Sequence, residues 1–366
     1  MSFWRRMRPT PVPWLRVTSA VVLVLALTSC ANREPQSSPE GPLSLRMMST
    51  SATFTDLPTV VIVAQNYFDE VGLDVEFDFG TASNATIVTQ AVISRQTDVG
   101  TSGSGALYNA YAEGMTDLVS LGTTNPSITF GLALNKKAVD TLAEKGVTPD
   151  SPVEERVQAL RGLQITASPQ GSTGNSYLRV MLQEYGVDPD NDLTIVPNND
   201  ASAQIASTRN GRTDGFAQSF PRVNFPDAQG WGTVWLNWVE DLPSLVPLAS
   251  HEYYTTKTWL RQNPEVARRL MQAVWMAQRD LQNPTQELRD KIKALPEFRE
   301  LDPAAFDAGW ELSISAYKGA TPLTTKQMFD NAVHLVNLGR PKPVEFTFED
   351  IYDLGPARAA QPPQGG

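Results

Sequence analysis

The sequence predicts an α/β chain of two similar lobes, and three observations carry that expectation. Its 366 residues exceed what one hydrophobic core usually supports. From residue 43 onward, short apolar stretches alternate with amphipathic ones, the pattern of strands layered with helices. The series also occurs twice, with Thr97-Asp98 and Thr213-Asp214 each leading from a helix exit into a buried strand.

In the first series, residues 43–47 read as a strand and 48–55 as a loop. Asp56 then caps a helix with Pro58 in its first turn; Val61, Ala64, Phe68 and Val71 share a face, and Gly72 ends it. Val75, Phe77 and Phe79 alternate with acids in a half-buried strand. A helix over 84–96 leads to a strand at 97–100, a turn at 101–105 and a helix from 106. Residues 118–121 form a further strand, and the apolar stretch 128–134 suits a crossing between lobes.

The second series runs through a strand at 163–167, a turn at 171–174 and a helix presenting Tyr177, Val180, Met181 and Tyr185. A strand at 193–196, a helix at 201–209 and a strand starting at 213 complete it. Both sheets are expected to be largely parallel. After Gly230 comes a strand region with Trp231, Trp235 and Trp238, whose last two tryptophans, with Trp275, read as core, and then 245–249 as the return crossing. The remainder is helical: Asn263 caps, Pro264 opens the helix, and Val266, Leu270, Val274, Ala277 and Leu281 form its stripe.

The termini carry different signals. Arg5, Arg6, Arg8 and Arg16 precede an apolar run over 17–27 that ends in Leu27-Thr28-Ser29-Cys30. That order is a secretory signal, and its run of eleven positions, broken only by Thr18 and Ser19, is too short for a spanning helix, which needs about 20. Leu27 to Cys30 resembles a bacterial lipobox, which implies lipidation of Cys30 after cleavage of residues 1–29. Residues 30–42 read as a flexible tether and 353–366 as a disordered tail, both rich in residues with nothing to bury.

The formal charge is −10; without the four signal arginines, 26 basic side chains face 40 acidic ones. Such a balance argues against nucleic acid, which needs a basic footprint. Cys30 is the sole cysteine, and His251 and His334 are the only histidines, so neither a disulfide, a metal set nor a catalytic triad is legible. Gly171 to Gly174 lacks the Gly-Lys-Ser/Thr of a phosphate loop. No cofactor is implied.

The stretches VGLDVEFDFG, RQTDVGTSGSGAL, LRGLQITASPQGSTGNSYLRVMLQEYGV and NGRTDGFAQSFP resemble the solute-binding proteins of nitrate, sulfonate, taurine and thiamine-pyrimidine import systems. The resemblance runs from about residue 43 to 284. It implies a type II periplasmic-binding-protein fold: two α/β lobes joined by two crossing strands, with a ligand cleft between them. Residues 43–128 and 231–352 would form lobe 1 and 129–230 lobe 2. The implied function is non-enzymatic capture of a small solute by a monomer outside the cytoplasmic membrane, held there by its lipid, with delivery to an ABC permease and its ATPase. A pyrimidine-precursor synthase or another enzyme on the same fold, and a sensor lipoprotein, are the alternatives; the yeast-type synthase carries a cysteine-rich motif that this chain lacks.

In open parallel sheets a crevice lies beyond the carboxyl ends of the strands, where loops enter helix N-termini. That rule selects Ser51, Phe54, Thr81, Asn84, Thr101, Ser102, Gly103 and Asn125 on the first lobe. On the second it selects Ser172, Thr173, Asn175, Phe216, Gln218 and Ser219. Each hydroxyl or amide also suits a helix cap, and each glycine a turn. Phe54, Phe216 and Trp231 are candidates for an apolar wall. Arg46, Arg179 and Arg222 are candidate counter-ions, or solvated surface groups.

Overall fold

The computed structural model describes residues 41–362 apart from Ser51, Ser83, Gly171, Gly339 and Pro341. The signal, Cys30, nearly all of the tether, the last four residues of the tail and the candidate Ser51 therefore lie outside the described residues.

Among the described residues, ten strands make two five-stranded sheets. The first contains β1 (Leu43–Thr50), β2 (Leu73–Ala82), β3 (Val99–Gly103), β4 (Leu118–Asn125) and β10 (His251–Thr256), in the order β2-β1-β3-β10-β4. The second contains β5 (Phe130–Asn135), β6 (Gln164–Ala167), β7 (Thr194–Pro197), β8 (Gly215–Ser219) and β9 (Gly232–Asn237), in the order β7-β6-β8-β5-β9. In each sheet four strands run in one direction and a single strand, β10 in the first and β5 in the second, runs against them, so the largely parallel direction suggested by the sequence is interrupted by one reversed strand and both sheets are mixed.

Strands β3, β10 and the edge strand β4 are buried on both faces along almost their whole length, β3 and β4 with mostly apolar or small residues and β10 although it carries His251 and Glu252. Edge strand β2 alternates, hiding Leu73 and exposing Asp74. The helix expected over 58–71 breaks at Asn66, whose left-handed backbone (φ 57°) caps Leu57–Gln65 and restarts as Tyr67–Glu70. Asparagine tolerates that conformation better than most residues.

Two expected boundaries are corrected. The chain was expected to return to the first lobe at residue 231, yet β9 pairs antiparallel with β5 in the second sheet. Buried Trp235 and Trp238 belong to that lobe, and the return follows between Asn237 and His251. The tail is also partly ordered: Gly355–Ala359 is a helix whose Ala357 is fully buried, and Ala357 O accepts a 2.8 Å hydrogen bond from Trp275 Nε1. Composition alone could not show that Ala357 and Ala360 have a helix to pack against.

The hydrophobic cores do not follow the lobes. One joins Val88, Leu107 and Tyr254 to Ile165, Tyr177 and Trp235; the other joins Leu45, Phe54 and Val274 to Ala133, Phe216 and Val223. The sheets are thus continuous through packed side chains around the two crossings. Among the described residues, no helix is long and apolar enough to cross a membrane.

Candidate functional site

The carboxyl ends of the two sheets face a cleft of about 1610 Å³. Its two walls meet where β3 runs into the helix Ser104–Ala112 and where the loop after β6 runs into the helix Thr173–Glu184. An ideal Cβ on Gly103 would sit 2.8 Å from Thr173 Oγ1, so the two junctions are in contact and glycine is what permits it. Behind them Tyr177 Oη and Ser250 Oγ are 2.7 Å apart, and Phe54 N donates to Phe220 O at 3.1 Å, tying the lobes together on either side of the crossings.

Six of the residues chosen from sequence line this cleft: Asn84, Gly103, Ser172, Thr173, Gln218 and Ser219. Asn84 also caps its helix, its Oδ1 accepting from Ile87 N at 3.1 Å. Ser172 gives its hydroxyl to Pro169 O and leaves the helix Thr173–Glu184 without a side-chain cap.

Others lie off the lining. Strand β3 runs three residues beyond its expected end at 100, which turns Thr101 and Ser102 into buried strand residues. Thr101 Oγ1 donates to Asp56 Oδ2 at 2.8 Å, and Ser102 Oγ lies 2.8 Å from Tyr254 Oη. Asn125 Nδ2 donates to Thr55 O and Thr129 Oγ1, both at 2.9 Å, bracing the first crossing. Asn175 Nδ2 holds Ser168 O at 2.9 Å, while Thr81 is exposed outside the cleft. Phe54 is buried among Phe298, Phe306 and Trp310, and Phe216 stacks on Trp231, so none of the proposed aromatic wall reaches the lining.

The three candidate counter-ions separate clearly. Arg46 pairs with Asp98 at 2.7 Å, and Arg179 with Asp190 at 2.8 Å. Arg222 lines the cleft, part-buried, and its side chain makes no hydrogen bond or ion pair among the described residues. Burial lowers its pKa, with Asp200 acting in the opposite sense, yet a guanidinium stays charged at any physiological pH. Its turn, Arg222–Asn224, is fixed from behind: Gly309 packs so closely that a Cβ there would sit 2.6 Å from Pro221 Cβ.

His251 was not selected from sequence, yet it also borders the cleft at the start of β10. Its position between β3 and β4 depends on a pairing across more than 120 residues of chain, which no local signal announces. Next to it, Glu252 is buried against Tyr108 and Tyr352; burial pushes its carboxyl up to about 8, although those hydroxyls and Ser120 favour the ionised form.

A family model described as NMT1/THI5 like matches residues 56–287, more than half of the chain. Among solved structures, the periplasmic aliphatic sulphonate binding protein SsuA from Escherichia coli superposes with a TM-score of 0.62 at 14% identity, covering 83% of this chain and 96% of its own. The alkanesulfonate-binding protein SsuA from Xanthomonas axonopodis pv. citri gives 0.63 at 16% identity, with 86% and 100% covered. The periplasmic nitrate-binding protein NrtA from Synechocystis PCC 6803 gives 0.63 at 14%, with 87% and 88% covered. At these identities the likeness shows the fold, that of the two-lobed periplasmic binding proteins. A search of curated protein sequences returns no match.

Proposed function

The chain belongs to the NMT1/THI5-like family, and from that premise we propose that it captures a small organic or inorganic anion outside the cytoplasm and hands it to an ABC importer. The observation that carries the reading is Arg222: a charged side chain with no hydrogen-bond or ion-pair partner among the described residues, facing the gap between two lobes. A part-buried guanidinium is costly unless something negative completes it, and a sulfonate, carboxylate or nitrate matches its planar fork. The uncapped N-terminus of the helix Thr173–Glu184 adds favourable dipole on the same wall.

In this reading the lobes close on the solute by hinge motion about the crossings, and the permease and its ATPase recognise the closed form. The protein acts as a monomer. The lipidated Cys30 holds it at the outer face of the membrane, with 31–42 as tether. The cleft residues Asn84, Gly103, Ser172, Thr173, Gln218 and Ser219 shape the pocket around the anion. Thr101, Ser102, Asn125 and Asn175 support it from one layer behind.

A thermal-shift screen of nitrate, alkanesulfonates, carboxylates and neutral aminopyrimidines on residues 31–366 tests this, because a solute that binds only the folded state raises its melting temperature. Anions should shift it, and Arg222→Gln should weaken their binding about tenfold or more, the worth of a hydrogen bond to a charged group. Shifts confined to neutral pyrimidines, or an Arg222→Gln protein that binds anions as well as its parent, would refute the anion reading.

A further inference from the structure

The cleft is larger than a small anion needs, and its lining shows where the extra room lies. Its volume of about 1610 Å³ exceeds the roughly 300–1,000 Å³ of sites for drug-sized molecules, and its wall continues past the two loop-to-helix junctions. On the helix Ser104–Ala112 the lining passes through Ala106, Asn109 and Ala110 to Glu113 just beyond its end, positions three to four apart that share one face. Ala332, Leu335 and Val336 of the helix Lys326–Leu338 supply the other side, with Arg340 two residues beyond that helix. Tyr108 and Phe329, ring centroids 5.9 Å apart, pack the two helices together. A groove thus leaves the junction at Gly103 and reaches Asn109 about 9 Å farther along the helix axis, at roughly 1.5 Å per residue.

The middle of this groove is apolar and its far end is cationic. Arg340 N donates to Asn337 O at 3.1 Å, and Asn337 Oδ1 accepts from Val344 N at 2.8 Å, which ties down the turn that carries the arginine. The guanidinium gives Nη1 to Asn109 Oδ1 at 2.7 Å, whereas Nε is buried and has no partner among the described residues. A neutral amide does not offset a full charge, and a buried N–H without an acceptor is costly, so the group calls for an anion. The two acids of the lining leave it uncompensated. Asp200 caps Ser202 N and Ala203 N, and Glu113 is exposed and makes no ion pair with Arg340.

We propose that Arg340 is a second anion-binding group and that the solute is an elongated organic dianion, an assignment that rests on the anion reading above. One acidic group meets Arg222, a hydrocarbon middle lies along Ala106, Ala110, Leu335 and Val336, and the second acidic group meets Arg340.

Calorimetry on the native protein tests this with α,ω-alkanedicarboxylates and α,ω-alkanedisulfonates, each against the monoanion of equal chain length. Dianions long enough to reach both guanidiniums should bind about tenfold or more tightly than their monoanions, the worth of a hydrogen bond to a charged group, and shorter dianions should show no such advantage. Arg340→Gln should remove the advantage, and Arg340→Lys should retain part of it, because an ammonium keeps the charge and loses the planar fork. Glu113→Gln, an exposed change, should widen the advantage by removing a like charge from the far end. Equal affinities of mono- and dianions at every length, or an Arg340→Gln protein that keeps the advantage, overturn the inference and leave the anion reading standing. An advantage that is the same at every length places both charges at Arg222 and overturns it too. If no anion of either kind binds, both fall.

Discussion

Gly103→Ala is the change that tests the closed contact most directly. The new methyl would lie 2.8 Å from Thr173 Oγ1, well inside ordinary contact, and 3.6 Å from Thr173 Cβ. Overpacking of this kind costs about 1–3 kcal/mol. The backbone at Gly103 (φ −57°, ψ 134°) suits alanine, so the substitution adds no local strain, and removing a glycine favours folding by about 0.4–1 kcal/mol. The clash is relieved if the lobes part. The expected signature is therefore opposed: thermal stability of the free protein unchanged or slightly raised, solute affinity lowered about five- to 150-fold. X-ray scattering should show a larger radius of gyration. Adding Thr173→Ala leaves only the 3.6 Å Cβ contact and should recover the affinity lost to the methyl, a coupling that a double-mutant cycle measures. A Gly103→Ala protein with parental affinity and compactness would refute the idea that these junctions touch in the bound form.

Other outcomes follow from the packing. The Glu252 carboxyl stands at about 8 in the fold against 4.5 ordinarily, so its stabilisation of the folded state is complete below pH 4.5 and is lost as pH rises toward 8. At about 1.4 kcal/mol per tenfold in proton affinity the loss approaches roughly 5 kcal/mol. Urea melts of Glu252→Gln should therefore gain on the native protein steadily between pH 4.5 and 8, and parallel profiles would contradict the assignment. Ending the chain after Asp353 removes the buried helix Gly355–Ala359 and the Trp275 hydrogen bond, and should cost roughly 2–3 kcal/mol by the same assay; an unchanged midpoint would mean the tail is not held. Cys30→Ala should leave unprocessed precursor without lipid, and radiolabelled palmitate on that variant would count against the anchor.

The fold was readable because its signals are local and repeated. The helix Ala201–Arg209 begins and ends where the sequence placed it, since Asp200 caps two backbone N–H groups and Asn210 closes the other end. The same locality explains the errors. Where β3 ends depends on whether Thr101 and Ser102 find partners, and those are Asp56, 45 residues before, and Tyr254, 152 residues after. Phe54 looked like a cleft residue because Phe298, Phe306 and Trp310, which enclose it, arrive from the last quarter of the chain. Loop-to-helix junctions could be found from order alone, whereas the polarity of the cleft could not. Arg46, Arg179 and Arg222 look alike in sequence; the placement of Asp98 and Asp190 pairs the first two and leaves the third without a side-chain partner among the described residues.

That difference also bears on how a chain with a formal charge of −10 would hold the proposed anion. Charge repulsion across the surface is screened within about 8–10 Å at physiological salt, so the sum over the molecule matters little inside a cleft. What matters is which charges remain uncompensated there. Asp98, Asp190 and Asp241 are each taken by an arginine away from the cleft, whereas neither arginine of the lining pairs with a carboxylate among the described residues: Arg340 holds the neutral amide of Asn109, and Asp200 acts on Arg222 only through space. On the proposed reading, an anion in the cleft meets guanidinium groups that no carboxylate occupies, whereas surface arginines such as Arg46 and Arg179 are already paired.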